Sequence, residues 1–333
     1  MVLFNTDIPE LSGFDTGLCL SNLDILGARQ NRVSECVLAV LSELADAMIH
    51  DAGGDPDTVD SILLSLRSNP EGEDGEASPT ASAPPDVSPV NADFFRRMSA
   101  RSGLHARLVL YAMIEERMPT PPPAAKPSPL TAAARGRIAY MPTAFADKAY
   151  LRLAAHVKNP RAAATAGFVD ACEEVHSGLC EYCILPLENT RNGKLTAFTR
   201  LILRYRLRIT AVCDLENAAA EGQVTRFALL TNAFEDEFPA PLTPPPAGEP
   251  LYLELMHTSD SMTLTELLTA AEFCGMTLCR ADTLPSLDEV GGETDTPALS
   301  CVLNAAEGDL PVFRRFLSLE ASEDILLGLY GAV

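Results

Sequence analysis

Apolar positions along the first third of the chain keep helical spacing. From about Leu23 to Ile49, Val33, Cys36, Val37, Val40, Leu41, Leu44 and Met48 fall on one stripe and predict a helix. Gly53-Gly54 closes it. Asp55-Pro56 then supplies an N-cap and a first-turn proline for a shorter helix carrying Val59, Ile62, Leu63 and Leu66. Residues 69–90 are rich in proline, serine, alanine and acids, the composition of a disordered loop. A third helix is expected from about Ala92 to Met118 on Phe94, Phe95, Met98, Leu104, Leu108, Tyr111 and Ile114, with Gly103 as a soft spot. Residues 1–118 thus predict an all-α unit, followed by a stiff proline-rich linker over 119–135.

Beyond the linker the period changes. Arg137–Tyr140 predicts a short strand, Lys148–His156 a helix, 157–166 a loop and Asp170–His176 a second helix. A strand through Tyr182, Ile184 and Leu185 is expected to stop at Pro186 and turn through Glu188-Asn189-Thr190. Leu195–Arg206 returns to helical spacing, Leu207–Leu215 predicts a strand, 216–224 a connector, and Phe227–Leu230 another strand. Strands alternating with helices at this pitch predict an α/β lobe over 136–235 with a parallel, doubly wound sheet. Residues 250–333 read as βαββαβ: Leu251–Met256, Leu264–Gly275, Met276–Arg280, Ala298–Asn304, Leu310–Leu319 and Ile325–Tyr330.

Composition narrows the functions open to such a chain. It has 333 residues, 47% apolar and 21% charged, which suits a globular protein of two or three domains. The formal net charge of −21 argues against nucleic acid or an anionic membrane surface as a partner. No apolar run reaches membrane-spanning length, and Asp7 and Glu10 with no basic n-region fit neither a signal nor a transit peptide. Nine cysteines scattered through apolar segments suit a reducing cytoplasm. Cys180 and Cys183 spell CxxC, a redox or zinc signal in principle; an odd offset on one strand would put the thiols on opposite faces, and no second CxxC follows. The histidines show no metal-ligand spacing, and nothing calls for a cofactor. The strand–turn–helix from Cys180 to Leu195 is the strongest local candidate. Its turn, with Asn189 and Thr190 beside a helix N-terminus, predicts a pocket for a carboxylate or phosphate.

Four stretches, in order, resemble segments of the prephenate dehydratase family. Ile138–Phe145 stands where that family carries Gly-Pro-x-Gly-Thr-Phe-Ser, and Phe168 to Glu174 resembles its Phe-x-x-x-x-x-Ala-Val. Glu188-Asn189-Thr190 with Gly193 resembles its pocket motif Glu-Asn-Ser/Thr-x-x-Gly, and Thr225-Arg226-Phe227 its Thr-Arg-Phe. The resemblance implies a periplasmic-binding-protein-like lobe and conversion of prephenate to phenylpyruvate in phenylalanine synthesis. Aromatisation drives that reaction, so a protein need only protonate the leaving hydroxyl and hold two carboxylates. By the same resemblance Thr225 is the proton donor or hydroxyl partner and Arg226 a carboxylate anchor. Glu188, Asn189, Thr190, Phe227 and Thr143 then line the substrate. The plainer alternatives are that Arg226 pairs a neighbouring acid and that Thr225 simply suits a strand.

Residues 250–333 resemble an ACT domain, the amino-acid sensor of that family, through Leu264, Leu268, Gly275 and Gly328-Leu329-Tyr330. The resemblance implies effector contacts at Thr263, Leu264, Asp282 and Thr283, and a homo-oligomer paired through this part. Met262-Thr263-Leu264 replaces the family's Gly-Ala-Leu, and Asp282-Thr283-Leu284-Pro285 its Glu-Ser-Arg-Pro. The three helices resemble the chorismate mutase that some members carry. Their arginines, Arg96, Arg97, Arg101 and Arg107, fit either a dicarboxylate clamp or a solvated basic face.

Two departures shape the functional expectation. The loop at Pro142 lacks the family's glycines, so backbone approaches a ligand less closely there. Only residues 191–224 separate the two pocket motifs, and a βαβ unit alone takes about 30 residues. The second lobe is therefore absent, the α/β lobe is truncated, and half a cleft is expected. A partner subunit or the helical unit could supply the missing wall. Two readings follow: a working dehydratase, or a non-catalytic regulator or binding module for a small carboxylate such as prephenate or an aromatic amino acid.

Overall fold

Three helices open the chain: α1 (Thr16–Asp51), α2 (Pro56–Arg67) and α3 (Pro89–Arg117). The computed structural model describes residues 16–67, 89–118, 130–216, 222–232, 242, 248–258, 262–284, 298–322 and 324–333. The acidic stretch expected as a loop, apart from its last residues in α3, and residues 119–129 of the linker lie outside them. Gly103 breaks α3 with φ 66° and ψ −175°, a backbone angle that glycine adopts without a Cβ clash.

The remainder follows as β1 (Arg137–Tyr140), α4 (Ala144–Ala154), β2 (Arg161–Ala164), α5 (Phe168–His176), β3 (Tyr182–Asn189), β4 (Gly193–Lys194), α6 (Thr196–Arg204), β5 (Leu207–Glu216), β6 (Val224–Asn232), β7 (Leu251–His257), α7 (Leu264–Phe273), β8 (Thr277–Leu284), β9 (Ala298–Asn304), α8 (Leu310–Glu320) and β10 (Ile325–Ala332). All ten strands belong to one mixed sheet in the order β2-β1-β3-β6-β5-β10-β7-β9-β8, with β4 on β3. β1 lies parallel to β2 and β3, and β10 parallel to β5; the other pairs are antiparallel.

This corrects the parallel, doubly wound sheet expected over 136–235. The connector between β5 and β6 is too short for a crossover helix, so β6 returns antiparallel between β5 and β3. β3 also runs through Pro186 to Asn189. A register shift between Pro186 and Glu188 absorbs the missing N–H as a bulge. β2, expected as loop, is a four-residue edge strand whose arginine and alanines carry no period-two signal.

One face of the sheet is covered by α4 at one end and by α7, α8 and the three N-terminal helices at the other. Ile138, Leu153, Leu229 and Phe227 lie in the α4 cluster; Leu253, Phe313, Phe316, Tyr111 and Leu44 lie in the larger one. The opposite face packs Val175, Ile202, Leu187, Met256 and Tyr330 around α5 and α6. β10 approaches β5 so closely at Gly328 that an added Cβ would sit 2.3 Å from the Ile209 carbonyl oxygen.

Buried charge locks the helical unit onto α8. Arg315, only 3% exposed, donates from Nε to Glu115 of α3 at 2.8 Å and pairs with Asp60 of α2. Arg107 and the Tyr111 hydroxyl both donate to Glu320, at 2.8 and 2.6 Å. Arg107 is thereby committed to this junction. Among the described residues the helical unit lies against α7 and α8, and none of it lines the cleft at the Asn189–Thr190 turn, where one expectation placed it as the missing wall.

Candidate functional site

The sheet coils. β3 and β8 are six strand-to-strand steps apart, about 29 Å on a flat sheet, yet Arg280 Nη1 lies 2.5 Å from Glu188 Oε2. The coil brings the outer strand of the C-terminal part back over the turn that follows β3. Between them is a cleft of about 330 Å³ lined by Glu188, Asn189, Thr190, Gly193, Asp214, Val224, Arg226 and Arg280. Half a cleft was expected; its second wall comes from β8, through Arg280.

Ion pairs fill it. Arg226 makes a two-pronged contact with Asp214, Nε to Oδ1 and Nη2 to Oδ2, both 2.8 Å, and its Nη1 lies 2.9 Å from Glu188 Oε1. These hydrogen bonds to Asp214 outweigh burial and hold the guanidinium above its already high range. Arg280 pairs with Glu188 and with Asp282, whose Oδ2 is 2.8 Å from Nε. Burial works against its charge, but the two carboxylates outweigh it. Three carboxylates thus face two guanidiniums.

Beside the cleft a second buried group ties the turn to the C-terminal strands. Glu188 and Lys194 are register partners across β3 and β4. Lys194 reaches Glu254 of β7 and Ser300 of β9. Glu254, 2% exposed, also accepts from the Tyr330 hydroxyl at 2.6 Å. The hairpin therefore offers one acid and one base side by side, and the C-terminal sheet answers each with its opposite. Burial alone would push the Glu254 carboxyl up, but Lys194 and Tyr330 hold it below the usual glutamate range. A depressed folded pKa contributes stability above the unfolded value near 4.5 and loses it as pH falls through the folded value. Glu254→Gln is therefore expected to lower the urea-unfolding free energy by about 2 kcal/mol at neutral pH. That difference from the unaltered chain should shrink below pH 4.5; a difference constant down to pH 3 would refute the pairing.

The sequence-derived site residues divide. Glu188, Asn189, Thr190 and Arg226 meet at the cleft. Asn189 Oδ1 accepts from the N–H groups of Arg191 and Asn192, at 3.0 and 2.7 Å, and so builds the turn itself. The Thr190 hydroxyl donates to the Gly222 carbonyl and accepts from Val224 N–H. Thr225 pairs with Asn189 and Leu215. It stands between two cleft residues on β6, so strand alternation turns its side chain to the face covered by α4. Phe227 is buried on that face, its ring 6.0 Å from Phe145. Thr143 caps α4, accepting from Ala146 N–H at 3.0 Å. Thr263 closes a capping box with Glu266, beside Leu264 at the start of α7. Asp282 belongs to the Arg280 pair, and Thr283 is exposed. Sequence reasoning missed Arg280, Asp214, Lys194 and Glu254. Only the coil brings them together, although Arg280 and Asp282 alternating with Ala281 on Thr277–Leu284, and Glu254 set in the apolar run Leu251–Met256, were a visible sign.

Cys180 precedes β3 instead of lying on it, so the two thiols of the CxxC share one apolar cluster and do not point to opposite faces. Burial and a hydrogen bond to Glu174 push Cys180 up to about 12. A hydrogen bond donated to Cys172 and complete burial raise Cys183 as well. Neither is a thiolate near neutral pH. Among the described residues no cluster of three metal-ligating side chains occurs, and no helix is long and apolar enough to cross a membrane.

No protein-family model matches the chain, and no curated protein sequence does. Among solved structures it is similar to the prephenate dehydratase from Streptococcus mutans, with 14% identity, a TM-score of 0.45, and 59% of this chain and 98% of that one covered. It is also similar to GqqA, described as a novel type of quorum quenching acylase, with 19% identity, a TM-score of 0.42, and coverage of 59% and 95%. The prephenate dehydratase from Arthrobacter aurescens in complex with L-Phe gives 13% identity, a TM-score of 0.40, and coverage of 59% and 90%. At such identities and scores the chemistry has to be argued from the chain's own residues.

Proposed function

We propose that this chain is a prephenate-dehydratase-like protein of aromatic amino-acid metabolism that binds or regulates and does not dehydrate. The observation that carries the reading is the saturation of Arg226. The guanidinium that the Thr-Arg-Phe resemblance makes a carboxylate anchor already holds Asp214 by two hydrogen bonds and Glu188 by a third contact. A dicarboxylate would have to displace protein carboxylates already in place, at a cost of several kcal/mol in a partly buried site. It would also meet three acids against two bases. Thr225, the residue the resemblance makes the proton donor, faces away from the cleft, and proton transfer requires hydrogen-bond reach of the leaving hydroxyl.

The test is turnover with purified full-length protein and saturating prephenate, followed as phenylpyruvate absorbance in base. The expected result is no rise above the buffer rate. Clear turnover abolished by Thr225→Ala would instead establish a working dehydratase. A binding role makes a further demand on the same cleft. Asp214→Asn releases one arm of Arg226 and is expected to tighten binding of a small carboxylate, read by calorimetry with phenylpyruvate, about tenfold, the equivalent of about 1.4 kcal/mol. Unchanged affinity would remove the cleft as the binding site.

A further inference from the structure

α1 is longer than the body it packs on. From Leu41 onward its apolar side chains are buried against α2 and α3, with Leu41 at 2% and Leu44 at 5% exposure. Arg117, in the last turn of α3, bonds to Ser42 and Asp46, so α1 before Ser42 runs past the end of its neighbour. There the burial stops. Val37, Leu38 and Val40 are 43%, 45% and 41% exposed, and Cys36 is exposed beside them. Residues 16–40 of α1 extend about 37 Å at 1.5 Å per residue.

The sequence of that extension has a repeat. Cys19, Leu23, Leu26, Gln30, Val33, Val37, Val40 and Leu44 follow one another at alternating steps of four and three, the spacing of the seam of a coiled coil. Its last member, Leu44, is buried in the contact with α2 and α3, so the stripe continues a seam already in use. One member is polar. A glutamine in such a seam finds its best partner in an identical amide at the same level, which is how polar seam residues fix register between like helices. Charge agrees: residues 16–40 carry Asp24, Glu35, Arg29 and Arg32 and no net charge, in a chain whose formal net charge is −21. It is the stretch over which two strongly acidic copies approach with least repulsion.

We propose that the extension of α1 pairs with that of a second copy as a parallel two-stranded coiled coil, Gln30 opposite Gln30. This surface is distinct from the C-terminal strands and helices through which an ACT-like part would pair. The test is the mass of the full-length chain by light scattering during size exclusion, at tens of micromolar and on dilution. The expected mass is twice the 35.7 kDa of one chain. Val37→Asp with Val40→Asp should give the single-chain mass with an unchanged circular dichroism spectrum, because both residues are exposed in the single chain. Gln30→Leu should make the assembly resist dilution at least tenfold further, or shift it to three chains, since the amide no longer sets the pairing. A single-chain mass for the unaltered protein, a dimer that survives both aspartates, or a Gln30→Leu protein that behaves as the parent would each overturn the proposal.

Discussion

Replacing Gly328 with alanine should weaken the fold by about 3 kcal/mol or more, as an insertion into packed space that cannot relax. The added Cβ would sit 2.3 Å from the Ile209 carbonyl oxygen, 2.8 Å from the Ile209 Cβ and 2.9 Å from its amide nitrogen. A flexible side chain can swing away from such a contact, but a backbone carbonyl in a sheet can move only with its strand. Gly328 also pairs with Glu254 on its other side, beside the bulge that separates Leu326 from Gly328. Relief therefore means parting β10 from β5, the one pairing that joins the two halves of the sheet. Urea unfolding gives the loss, and hydrogen exchange localises it. Amides of Ile209 to Val212 should exchange faster in Gly328→Ala, whereas those of β1 and β2 should not. A variant as stable as the parent would show that the strands do not meet as described.

Arg315→Leu should lower stability by about 3–5 kcal/mol, the range for removing one partner of a buried charge group. It takes from Glu115, 7% exposed, and from Asp60 the guanidinium they share. Burial already raises the Asp60 carboxyl above its ordinary value, with Arg315 as the chief opposing influence. Losing Arg315 should therefore loosen α2 and α3 from α8 before the sheet itself opens. Limited proteolysis should cut within Pro56–Arg67 and residues 104–117 in the variant under conditions that leave those segments of the parent intact. Converting Asp60 and Glu115 to apolar residues of similar size in the Arg315→Leu background should recover most of the loss. If Arg315→Leu unfolds at the parent's urea concentration, the charge group contributes nothing to the docking.

Elements with a strong local signal were legible in the sequence. The helical stripe ending at Met48, the Asp55-Pro56 start of α2, Gly103 as the weak point of α3 and the βαββαβ order of the C-terminal part are all present. Strand direction was not legible. β5 and β6 differ from a parallel pair only in the length of the connector between them, and hydrophobic periodicity is blind to direction. The candidate site was half legible. Glu188 and Arg226 stand on adjacent strands near a recognisable turn, so local sequence sufficed. Arg280 and Glu254 reach the same place from 92 and 66 positions after Glu188, through a coil of the whole sheet that no window of sequence encodes. Asn189 and Thr190 show a related ambiguity. Residues suited to greeting an anion are also those suited to building a tight turn, and here they bond to backbone.

Because one sheet runs from β2 to β8 through the β5–β10 pairing, the described residues show no joint between its two halves. Proteins that respond to an effector by swinging one rigid domain against another need a joint where few bonds cross, and the β5–β10 ladder leaves none there. A signal arriving at the C-terminal strands could reach the Glu188 turn only as a change in how tightly the sheet is wound, drawing Arg280 closer or letting it go.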